Sequence, residues 1–190
     1  MKMNDNTSII TGKSVCFCYL NVFEPKSYKK GEKPKYSLMA LISKDDTFTL
    51  TKVEAAIEAA YFAGQNKLMG NDGVIPSLGA IPTPLKDGER EHPGDPIYAG
   101  RYFINASSYY KPEVVDSECK PIIDASEIYG GIFGRVSLNF YAYNHEGKCG
   151  IGCQLQNLQK NRDGERITHR SSAKDDFANL SGDEEDDFFA

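Results

Sequence analysis

Nothing in the 190-residue sequence approaches the run of roughly 18 apolar residues that a membrane span needs, and the first dozen residues hold no apolar stretch of the kind a signal peptide carries. The chain is therefore expected to be cytosolic. Its five cysteines are an odd number with no secretory signal before them, which argues against a disulfide framework and for reduced thiols. The only histidines are His92, His145 and His169, each in a loop-like context with no second ligand at helical spacing, so neither a metalloprotease motif nor a catalytic triad gathers around them. Gly12-Lys13-Ser14 ends like a phosphate-binding loop, but Thr7 stands where the required glycine should be. Asp45-Asp46, Asp87 and Asp95 belong to no paired-carboxylate motif that would hold magnesium, and turn or cap roles account for them. Cys16-x-Cys18 and Cys149-x3-Cys153 place each pair on one strand face, where small buried thiols are the simpler reading than a zinc knuckle. The expectation is a non-enzymatic protein without metal or cofactor.

Bases are missing altogether from residues 175–190, which carry seven acids and end Asp183-Glu184-Glu185-Asp186-Asp187-Phe188-Phe189-Ala190. The whole chain has 22 Lys+Arg against 27 Asp+Glu, so residues 1–174 hold 22 against 20 and are slightly basic. Five consecutive acids followed by two aromatics cannot bury enough surface to fold. They read as an interaction tail whose Phe188 and Phe189 anchor in a basic pocket of a partner. The division expected is one domain over 1–174 and a disordered acidic tail over 175–190.

Strand-forming runs dominate the domain: Lys13–Phe23, Tyr36–Ile42, Tyr98–Tyr110, Gly134–Tyr143 and Lys148–Leu158 are rich in β-branched and aromatic residues and bounded by turn formers. In the fourth run Val136, Leu138, Phe140 and Ala142 alternate with Arg135, Ser137, Asn139, Tyr141 and Tyr143, so one face is core and the other polar and aromatic. Asn144-His145-Glu146-Gly147 then turns it into the fifth run as an antiparallel hairpin. A single helix is expected from the capping-box pattern Thr51-Lys52-Val53-Glu54, with Val53, Ile57, Ala60, Tyr61, Gly64 and Leu68 at helical spacing. Residues 71–97 hold five of the nine prolines and are read as a long irregular excursion. Five strands, one helix and long loops predict a mainly β, OB-fold-like Greek-key barrel, with an immunoglobulin-like sandwich as the alternative.

Single-strand binders combine positive charge along a groove with aromatic faces on which bases stack. The segment from Glu24 to Lys35 carries Lys26, Lys29, Lys30, Lys33 and Lys35 around Tyr28 and is net +3; it joins the first two strands, where an OB-fold lines its oligonucleotide groove. Gln159–Lys174 is also net +3, with Lys160 and Arg162 at its start. Arg135, Tyr141 and Tyr143 share one strand face, and Arg101 shares another with Asn105, Ser107 and Tyr109. Tyr36 adds a further aromatic. These residues are the candidate DNA contacts, although lysine-rich loops are often plain solvated surface and an outward tyrosine can pack beneath a loop.

The ordered set Phe23-Glu24-Pro25-Lys26, Lys35-Tyr36-Ser37, Leu41-Ile42-Ser43-Lys44, Pro84-Leu85-Lys86-Asp87-Gly88, Phe103-Ile104-Asn105-Ala106, Tyr129-Gly130-Gly131, Phe140-Tyr141-Ala142-Tyr143-Asn144, Asn157-Leu158-Gln159-Lys160 and Phe177-Ala178 resembles a family of phage and prophage single-stranded DNA-binding proteins over about residues 13–180. The resemblance implies an OB-fold, sequence-tolerant binding of single-stranded DNA and a role in phage replication or recombination in the host cytoplasm. The tail is similar to those with which other replication single-strand binders recruit a polymerase, helicase or primase, although there the aromatic is often last and here Ala190 follows Phe189. A homodimer is compatible with this reading. The rivals are an interaction module of the replication machinery that does not touch DNA, and a metal-dependent nuclease.

Overall fold

The computed structural model describes residues 6–27, 29–70 and 73–167. Strands β1 (Ser8–Ile10), β2 (Val15–Lys26) and β3 (Lys35–Ser43) precede helix α1 (Thr47–Ala63) and a single turn, α2 (Gln65–Leu68). After them come β4 (Leu85–Asp87), the short α3 (Gly88–Glu91), β5 (Arg101–Ser108), β6 (Val114–Val115), β7 (Phe133–His145) and β8 (Lys148–Arg162). Five strands pair in a closed ring, β2 to β3, β3 to β5, β5 to β8, β8 to β7 and β7 back to β2. All of these pairings are antiparallel except β5 with β8, which run parallel where Ser107 meets Gln154. That five-stranded Greek-key ring is the OB-type barrel expected from the sequence.

The hairpin forms as predicted, with Glu146 (φ 50°) and Gly147 (φ 82°) making the two-residue left-handed turn between β7 and β8. Val136, Leu138, Phe140 and Ala142 all point inward and are buried. They meet Val15, Phe17 and Val22 of β2, Leu38, Ala40 and Ile42 of β3, and Val53, Ala56, Ile57 and Ala60 of α1, which plugs the barrel. The helix begins at Thr47, one turn before the predicted Thr51. Asp46 caps it, its carboxylate accepting from the Thr49 amide at 3.0 Å and from the Thr49 hydroxyl at 2.6 Å. The Gly12 amide donates to that same Thr49 oxygen at 2.9 Å, so a tertiary contact selects Asp46 over the local Thr51-x-x-Glu54 pattern.

The stretch 71–97 is less irregular than predicted. Leu78–Ala80 forms a 3-10 turn, β4 adds to the open edge of β5, and α3 follows with Asp87 as its cap. Lys44 ties this arm to the barrel through Asp87 at 3.0 Å and Glu89 at 2.6 Å. The arm then folds back over part of the barrel's outer surface: Tyr98 packs with Cys16, Cys18, Met39, Leu41 and Phe103 in a second small core outside the ring. No described helix is long and apolar enough to cross a membrane.

Candidate nucleic-acid interface

Alternation along β3 and β5 sends Lys35, Ser37 and Met39, together with Asn105 and Ser107, to the barrel's outer face. Tyr98 and its arm cover the lower half of that face. The upper half is open, and it forms a trough of about 420 Å³ whose walls are Tyr19 of β2 and three lysines, Lys26 at the end of β2, Lys33 of the connecting loop and Lys35 at the start of β3, with Ser37, Met39, Asn105 and Ser107 along its floor. A second depression of about 320 Å³ continues it across β8 to β7, lined by Tyr109, Tyr110, Asn139, Tyr141 and Gln154. Lys35 and Ser107 belong to both. The two therefore make one surface that crosses the strands from the β2–β3 loop to β7.

Of the predicted platform tyrosines Tyr141 lies on this surface and Tyr143 lines neither depression, and the facing strand makes room for both rings. Tyr141 stands opposite Gly152 and Tyr143 opposite Gly150. A Cβ on Gly152 would come within 2.7 Å of the Tyr141 ring, and one on Gly150 within 2.8 Å of the Tyr143 hydroxyl. The glycines let each ring lie across the neighbouring strand, with one face packed. Tyr141 keeps 45 % of its surface exposed, whereas Tyr143 is half-buried. Burial, and then the neighbouring Cys153, Tyr143 and Tyr109, hold the Tyr141 phenol above its ordinary pKa. Tyr109 is exposed, with the Lys35 ammonium 4.9 Å from its ring centre.

The remaining candidates separate. Lys29 and Lys30 are exposed on the loop but line neither depression, and Lys29 is 3.9 Å from Glu32. Tyr28 and the tail residues Asp183–Phe189 lie outside the described residues. Tyr36 shares the side of β3 that carries Leu38, Ala40 and Ile42, the face turned to the core. Arg135 is exposed on β7 opposite Gln159, away from both depressions. Strand β8 runs on to Arg162, which takes Lys160 and Arg162 out of the expected loop. Lys160 is an internal tie: its side chain is 12 % exposed, pairs with Asp163 at 2.8 Å and donates to the Glu127 carbonyl at 2.9 Å. Arg162 stacks on Phe133 at 3.6 Å, and Arg101 donates to the Ile97 carbonyl at 3.2 Å. Arg101 and Phe133 line another depression, of about 720 Å³, with Cys16 and Arg166.

The two cysteine pairs fall on opposite sides of the sheet, Cys16 and Cys18 in the outer core and Cys149 and Cys153 at the inner one, so they do not assemble a four-thiolate site. Tyr19 was invisible to the sequence argument because regular alternation would send it inward with Val15 and Phe17. A bulge between Cys18 and Asn21 breaks the register against β3 and turns it outward.

Comparison with known proteins agrees with this fold. A putative protein, p50, of Acyrthosiphon pisum secondary endosymbiont phage 1 is 28 % identical over 185 residues, covering 93 % of this chain and 96 % of the relative. The solved single-stranded DNA-binding protein from bacteriophage Enc34, in complex with ssDNA, superimposes with a TM-score of 0.71 at 22 % identity, covering 88 % of this chain and 97 % of that one. Gp2.5, a single-stranded DNA-binding protein encoded by bacteriophage T7, superimposes with a TM-score of 0.59 at 15 % identity, covering 87 % and 97 %. The model of the family described by the Enterobacter phage Enc34 ssDNA-binding protein matches residues 7–189, and the chain belongs to that family.

Proposed function

We propose that this protein binds single-stranded DNA without an enzymatic step, coating it during phage replication or recombination in the host cytoplasm. The observation that carries this reading is the continuous outer trough, in which Lys26, Lys33 and Lys35 stand beside Tyr109 and Tyr141. Lysines neutralise phosphates while the rings offer faces to any base, so the combination favours strand over sequence. Membership of a family named for a single-stranded DNA-binding protein supports the same reading. Titration with oligo-dT at two salt concentrations tests it. Binding that weakens steeply with salt is expected, because phosphate contacts release counterions; no binding at low salt would refute it and leave the interaction-module reading.

Residues 175–190 complete the proposal as a separate module that recruits replication proteins such as a polymerase, helicase or primase. Seven tethered acids also compete with phosphates for the basic trough. Deleting 175–190 is expected to tighten oligo-dT binding, with a gain that shrinks as the screening length falls from about 10 Å at 0.1 M salt to about 3 Å at 1 M. Equal affinity of the two forms at low salt would remove the competition.

A further inference from the structure

Tyr19 is one of three described non-glycine residues with a left-handed backbone, at φ 49°. Such a conformation is costly for a residue with a Cβ and persists where the surroundings impose it. Here the imposing group is Asn21, which is buried and whose side-chain amide donates to the Tyr19 carbonyl and to the Ser37 hydroxyl, both at 3.1 Å. Tyr98 stands beside Tyr19, and the Tyr98 hydroxyl donates to the Met39 sulfur at 3.5 Å. The result is a 46 % exposed ring at the wall of the trough. On the floor, Met39 is paired with Asn105, whose exposed amide makes no side-chain hydrogen bond to a described residue.

We propose that this end of the trough is a base-reading subsite: one unpaired nucleobase seats against the Tyr19 ring over Met39, with its edge hydrogen-bonded by the Asn105 amide. The inference rests on the single-strand reading above and refines it. Most of the strand is held through phosphates and ring faces, and base identity counts at this one position. A carboxamide presents a donor and an acceptor side by side, the pattern that pairs with a base edge and that a phosphate, acceptor only, does not use in full. The lysines at the rim hold the flanking phosphates.

The test uses the full chain, with dT, dC and dA homopolymers titrated against wild type, Asn105→Ala and Tyr19→Gly. Glycine removes the ring and also relieves the left-handed backbone, and Asn105 is exposed, so both variants should keep the fold; a circular dichroism melt checks this. Tyr19→Gly is expected to weaken binding about five- to a hundredfold with the salt slope unchanged. Asn105→Ala should alter the ratios among the three affinities several-fold. Unchanged ratios in Asn105→Ala, whether affinity falls equally or not at all, or undiminished affinity in Tyr19→Gly, would overturn the subsite. A wild type that binds none of the oligomers would instead refute the single-strand reading itself. Should Tyr19→Gly fail to fold, the Asn105→Ala ratios decide alone.

Discussion

The segment from Lys26 to Lys35 and the one from Lys160 to Arg166, where β8 ends and the chain runs on, look equivalent as text, both being basic segments beside aromatic residues, yet the fold uses them in opposite ways. In the first, Lys26 and Lys33 are exposed at the rim of the trough and Lys35 stands half-buried within it. In the second, the charges are spent internally. Lys160 holds Asp163 and the Glu127 carbonyl, Arg162 lies on Phe133, and Arg166 lies 4.1 Å over the Tyr129 ring. Tyr129 in turn donates to Asp163 at 2.8 Å. A charge that already has a partner gains little from a phosphate, since the new contact must first break the old one. Net charge therefore identifies a basic segment, and only the partners of each group decide whether it can release counterions.

The sharpest way to break this contrast is to strip the loop. Replacing Lys26, Lys29, Lys30 and Lys33 together by Ala is expected to lower the log-affinity against log-salt slope by up to about 3, at roughly 0.7 for each single-strand phosphate that is no longer neutralised. All base sequences should weaken alike. Because Lys29 and Lys30 stand outside the trough, a fall of only about half that size would assign the phosphates to Lys26 and Lys33. An unchanged slope would remove the loop from the interface.

A smaller loss is expected from the platform. Tyr141→Ala should cost on the order of 1–3 kcal/mol of oligo-dT binding, read by fluorescence titration, with a modest fall in melting temperature because the ring also covers Gly152. Tyr143→Ala should show the reverse balance, a larger thermal than binding effect, since Tyr143 is more enclosed. Two variants with the same profile would mean the two rings are not divided between platform and packing.

The smallest effect on DNA belongs to the end of β8. Lys160→Ala is expected to leave the salt slope unchanged and to lower stability by about 1–2 kcal/mol, the cost of unmaking charged hydrogen bonds near the surface. A denaturant melt measures it, and a reduced slope with unchanged stability would overturn the contrast between the segments. The pH dependence follows from Asp163, whose carboxyl is held below the usual carboxylate range, first by Lys160 and then by Tyr129. A depressed folded-state pKa gives stability that is present above the ordinary carboxylate pKa and lost as pH falls through the lowered one. Wild type should therefore lose this contribution in acid, and Lys160→Ala should lose less between neutral pH and that range.

What repeats at short range was legible in the chain. Period-two alternation in Arg135–Tyr143 placed Val136, Leu138, Phe140 and Ala142 inside and Tyr141 outside, and Glu146-Gly147 specified the hairpin, because both depend on backbone geometry within a few residues. The same short-range reading located the loop whose lysines line the trough. Folding in three dimensions settled everything that rests on a partner far along the chain. Gly12 reaches Thr49 across 37 positions and so selects the cap at Asp46, and Glu127 with Asp163 occupies Lys160. The bulge that turns Tyr19 outward is held by Asn21 and Ser37, and regular alternation would have hidden it. The physical reason is common to all three: a local pattern states which conformations a segment can adopt, whereas the competition among cap, ion-pair and register partners is resolved only when the barrel closes and brings them within hydrogen-bonding distance.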